Sequence, residues 1–105
     1  MGQLTNIQVN GVDNELYITA FAWGASVEIC HLKGGNSHPI TFSGNADGIL
    51  TSGSYTILMV GINWGGPALY EVQLTIDGVA QTYNFSDNSG KTGVVWTQMV
   101  DITIP

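Results

Sequence analysis

Asp77 and Gly78 sit between two runs of alternating apolar and polar side chains, an arrangement that leaves little freedom of fold. Asp-Gly suits the two positive backbone angles of a type I′ turn, and a two-residue turn sets the pairing of the strands it joins. A hairpin is therefore predicted over residues 69–85, with Ile76 opposite Val79, Leu74 opposite Gln81, Val72 opposite Tyr83 and Tyr70 opposite Phe85. One face of that hairpin is nearly all apolar. The other carries Glu71, Gln73, Thr75, Thr82 and Asn84 and should meet water.

The rest of the chain has the same texture. No stretch shows apolar residues at helical spacing, while Val, Ile, Thr, Tyr, Phe and Trp recur in short runs broken by fourteen glycines. The last run, 94–104, alternates with Val94, Trp96, Val100, Ile102 and Ile104 inward. Near the start, Ile7 and Val9 are expected to pair with Ile18 and Leu16 across the turn-rich Asn10-Gly11-Val12-Asp13-Asn14. Shorter strands are read at 27–32 and 40–43. Seven or eight strands in 105 residues predict one domain, residues 1–105, built as an all-β, antiparallel two-sheet β-sandwich.

Two runs, 16–23 and 55–64, carry large apolar side chains on both faces. One face of a sandwich strand ordinarily meets water, so a second apolar face implies a subunit interface or a ligand surface, and a homo-oligomer is expected. Both runs end alike, at Ala22-Trp23-Gly24-Ala25 and Asn63-Trp64-Gly65-Gly66, which suggests two hairpins on a shared plan.

Charge narrows the function. Eight acidic residues against Lys33 and Lys91, with no arginine, give a net charge of −6. Nucleic acid and anionic membranes are both poor partners, because each is bound by neutralising phosphates with several cationic side chains. Cys30 is the only cysteine, so no intrachain disulfide can form. The start, Met1 to Asn6, has no basic segment followed by an apolar run and shows no signal peptide. A protein that is cytoplasmic, or released without a visible signal peptide, is expected.

Candidate chemistry is sparse. Gly90-Lys91-Thr92 fails as a phosphate loop, because that pattern needs a glycine where Phe85 stands. Cys30 and His31 are adjacent, and strand neighbours point to opposite faces, so they do not form a nucleophile and base pair. No enzymatic activity is predicted. The oxygen-rich runs Asn45-Ala46-Asp47-Gly48 and Asp87-Asn88-Ser89-Gly90 would suit calcium, but the same residues are the commonest turn formers, so no cofactor is expected.

Three tryptophans, four tyrosines and loops rich in Asn, Asp, Ser, His and Gly suit sugar recognition. An aromatic face stacks on the C–H face of a pyranose, while amides, carboxylates and backbone groups meet its hydroxyls. Trp64 with Asn63 is the foremost candidate platform, beside a Gly-rich loop. Trp23, the loop residues Asn36 and His38, and the turn residues Asp87 and Asn88 complete the candidate ligand-binding set. The expected function is that of a non-enzymatic, multivalent, lectin-like protein that binds glycans. Two other readings share the apolar strands: a pore-forming toxin or toxin subunit, and a structural assembly subunit.

Overall fold

The computed structural model describes residues 2–34 and 42–105, which form eight β-strands and one short 3-10 turn. The strands are β1 (Gly2–Asp13), β2 (Glu15–Ala22), β3 (Ala25–Lys33), β4 (Phe42–Asn45), β5 (Gly53–Asn63), β6 (Ala68–Ile76), β7 (Val79–Asp87) and β8 (Gly93–Ile104), with the 3-10 turn at Ala46–Gly48. No helix among the described residues is long and apolar enough to cross a membrane.

The hairpin of β6 and β7 has the register its turn dictates, from Ile76 opposite Val79 to Tyr70 opposite Phe85. Asp77 and Gly78 take φ of 52° and 78°, as a type I′ turn demands. Asp77 also anchors the start of β1, accepting from the Gln3 amide at 2.9 Å through its carboxylate and donating from its own amide to the Gln3 carbonyl at 2.9 Å.

β1 does not form a hairpin with β2. The segment read as a turn continues as strand through Gly11, Val12 and Asp13, past a bulge between Val9 and Gly11, and Val12 is buried. Ile7 and Val9 face Leu74 and Val72 of β6, which gives them an apolar ladder that a tight turn at residues 10–14 would have forfeited.

The strands follow one path, β3-β2-β5-β8-β1-β6-β7, with β4 paired to β1. In place of two separate sheets the chain forms a single eight-stranded sheet, because β1 changes partners along its length. Gly2 and Gln3 pair in parallel with β8, whereas Asn6 to Val9 pair with β4 on the same side. There the sheet curls back on itself. The Tyr70 ring of β6 stacks on Trp96 of β8 at 5.7 Å between centroids, and a side chain at Gly61 of β5 would meet the same ring at 2.7 Å. Leu4, Ile7, Leu16, Ile18, Ile57, Met59, Val72, Leu74 and Ile102 fill the space enclosed.

Two local readings change. Val94 is exposed and Val95 turns to the core, because β8 bulges there: Trp96 faces Gly61 and Val94 faces Ile62, leaving Val95 as the extra residue. The two Trp-Gly segments do not share a plan either. Trp23-Gly24 is a two-residue turn closing β2 on β3, whereas Trp64 opens a connection to β6, which does not neighbour β5.

Gly61→Ala should force the packed Tyr70 ring aside. Overpacking of this kind costs about 1–3 kcal/mol, which a urea-denaturation midpoint would register, and an unchanged midpoint would show that the ring moves freely.

Candidate ligand-binding face

The inward direction of Leu16, Ile18, Ala20, Ile57 and Met59 sends their sequence neighbours outward, since strand side chains alternate. Pairing of β3, β2, β5 and β8 then arranges the outer face in rows. Lys33, Glu15 and Ile62 share the first row, with Val94 beside them. His31, Tyr17, Val60 and Thr97 form the second, Glu28, Thr19, Leu58 and Met99 the third, and Ser26, Phe21, Thr56 and Asp101 the fourth.

At the fourth row lies an open groove of about 330 Å³, lined by Phe21, Trp23, Ser54, Tyr55, Thr56 and Asp101. Trp23 projects fully into solvent from the β2–β3 turn, and Phe21 is 42% exposed. Thr56 Oγ1 donates to Asp101 Oδ1 at 2.7 Å, which fixes the carboxylate of this exposed residue. Aromatic surface and a held carboxylate thus meet in one concavity with no cationic side chain in its lining.

Trp64 stands at the opposite end. Its indole Nε1 donates to Glu15 Oε1 at 2.8 Å and its backbone amide donates to Asn14 Oδ1 at 2.8 Å, yet the residue remains 66% exposed. Glu15 is buried and bonded at both oxygens, since its Oε2 accepts from the Tyr17 hydroxyl at 3.2 Å and from His31 Nε2. The Tyr17 and His31 rings stack at 3.9 Å, almost parallel. The Trp64 and His31 hydrogen bonds, with smaller help from Tyr17 and Lys33, hold the Glu15 carboxyl below the ordinary glutamate range despite its burial.

Trp23 and Trp64 are therefore not brought together. Asn63 is buried and serves the fold, its Nδ2 donating to the carbonyls of Gly66 at 2.9 Å and Lys91 at 2.8 Å, which ties the loop after β5 to the loop before β8. Asp87 spends both carboxylate oxygens on Ser89, accepting from its amide at 2.9 Å and its hydroxyl at 2.8 Å. That turn holds the Asp87 carboxyl low, chiefly through the Ser89 amide, and Asn88 beside it is exposed. Asn36 and His38 lie outside the described residues. Phe21, Ser54, Thr56 and Asp101 at the groove, and Glu15 and Tyr17 beneath Trp64, are candidate residues that sequence reasoning missed. Glu15-x-Tyr17 carries a signal in its alternation, whereas Thr56 and Asp101 meet only through the long-range pairing of β5 with β8.

Comparison of the chain with known proteins finds no matching family model, curated protein or solved structure. Among the described residues no three His, Cys, Asp or Glu side chains gather as metal ligands would. Cys30 and His31 fall on opposite faces, paired with Ile18 and Tyr17, and burial, aided by Glu28, pushes the Cys30 thiol up to about 11.

Two outcomes follow. With so little thiolate at neutral pH, Cys30 in the folded protein should react with iodoacetamide roughly a hundredfold more slowly than free cysteine, and unfolding should abolish the difference. Because Glu15 is lowered on folding, its contribution to stability is present above the unfolded carboxylate range and is lost as pH falls through its own depressed value. Acid titration followed by tryptophan emission should show that step, and Glu15→Gln should remove it while lowering stability at pH 7.

Proposed function

We propose that this chain is a carbohydrate-binding protein whose site is the groove between Trp23 and Asp101. The observation that carries the reading is the pairing, in one concavity, of two exposed aromatic rings with an anchored carboxylate and two hydroxyl side chains. Trp23 and Phe21 offer apolar faces to the C–H side of a sugar ring, while Asp101 Oδ2, Thr56 and Ser54 meet its hydroxyls. At about 330 Å³ the groove is at the small end of ligand sites, which suits a mono- or disaccharide unit of a longer glycan. Its lack of cationic lining disfavours phosphorylated or sulfated ligands.

In this reading the halves β3-β2-β5-β8 and β4-β1-β6-β7 act as the two layers of a sandwich, and the site occupies the outer surface of the first. Binding without catalysis is proposed, the Thr56–Asp101 pair serving to hold the carboxylate in place. Trp64 is a second aromatic surface at the far end of the same layer.

A glycan-array screen of the purified protein, followed by calorimetry on the best neutral sugar, tests this. Trp23→Ala should abolish binding, and Asp101→Asn should weaken it about tenfold or more, in keeping with the loss of a charge-assisted hydrogen bond. Well-folded protein that binds nothing on the array would refute the proposal.

A further inference from the structure

We propose that the outer face of β3, β2, β5 and β8, centred on Val60, is the surface through which two copies of this chain associate. This goes beyond the carbohydrate reading and does not rest on it.

The face is apolar where a monomer's should be wet. Leu58, Val60, Ile62 and Tyr17 are half-buried, and Val94, Met99 and Trp64 are 58%, 65% and 66% exposed. Four strands about 4.8 Å apart, over the seven residues from Leu58 to Trp64, cover roughly 450 Å² in projection. Side-chain relief adds to that, bringing it within reach of the about 600 Å² per partner found at the lower end of stable interfaces.

Charge points to a second copy as the occupant. A chain of net charge −6 repels its own kind except through a patch whose acids are held within the copy or matched by a cation across the interface. Within the three rows the acids are Glu15, whose carboxylate is held by hydrogen bonds from Trp64, Tyr17 and His31 with Lys33 opposite it, and Glu28 at the β3 edge. The pattern is self-complementary. A two-fold axis lying in the interface and crossing the strands at the Tyr17–Val60 row exchanges the first and third rows. It sets Lys33 of each copy against the partner's Glu28, and Ile62 and Val94 against the partner's Leu58 and Met99. Closed two-fold dimers are built on such reciprocal contacts. Trp64, an exposed aromatic held rigidly at the rim, then falls over the partner's Thr56 row, beside its groove, and tryptophan is among the residues that dominate such contacts.

Sedimentation equilibrium of the full chain, without sugar, should give twice the chain mass. Val60→Asp and the more exposed Met99→Lys should each give a folded monomer, with folding judged by circular dichroism, while Val79→Asp on the remote β7 turn should leave the dimer intact. Lys33→Glu should weaken association about tenfold, since two symmetric pairs of up to about 1 kcal/mol each are reversed. The double variant Lys33→Glu, Glu28→Lys should restore it. A monomeric parent chain would overturn the proposal, as would dimers indifferent to Met99→Lys or a double variant no better than the single. Flotation of the parent chain with phosphatidylcholine vesicles, abolished by Met99→Lys, would assign the face to a membrane instead. Sugar binding measured separately leaves these outcomes unaffected.

Discussion

The seat of the Tyr70 ring over Gly61 governs the remaining geometry. These residues belong to β6 and β5, three places apart along the strand path, so their contact requires the sheet to curl over at β1. A glycine at 61 is the only residue that lets the ring approach, and Trp96 completes its stack from β8. Buried in this way, the Tyr70 phenol is pushed up to about 12. Once Gly61 faces inward, strand alternation directs Leu58, Val60 and Ile62 outward, and the character of the external face follows from an internal contact.

What could be read from the residues divides by range. The β6–β7 hairpin was legible to the residue, because Asp77-Gly78 is a local signal with a single compatible register. The outer extents of β3, β5 and β8 were close to hand for the same reason. The fate of β1 was not: Asn10 to Asn14 has every mark of a turn, and only the ladder that Glu71, Tyr70 and Leu69 offer from β6, a distant part of the chain, keeps Gly11 to Asp13 extended. The Val95 bulge was equally hidden, since alternation alone cannot show where one residue is skipped.

The candidate site follows the same division. Trp23 and Trp64 stood out as aromatics beside glycines, and both are exposed. Asn63 looked like a ligand group and is instead a buried clasp between two loops, a role visible only when the Lys91 carbonyl arrives from the far end of the chain. Asp101 stood out in no local pattern, and only the pairing of β5 with β8 puts Thr56 beside it. Local chemistry nominates the aromatic surfaces, and long-range pairing decides which polar groups accompany them.

The two hydrogen bonds on Trp64 also have a thermodynamic consequence. A freely rotating exposed tryptophan loses rotamer entropy when something settles on it, about 0.5–1.5 kcal/mol for an immobilised side chain. Here the Glu15 bond to the indole has already restricted that freedom in the folded chain, and Asn14 holds the backbone amide beneath it. Contact at this end of the molecule is then dominated by release of water from the ring, and its calorimetric mark is a negative heat-capacity change with little ordering entropy to oppose it.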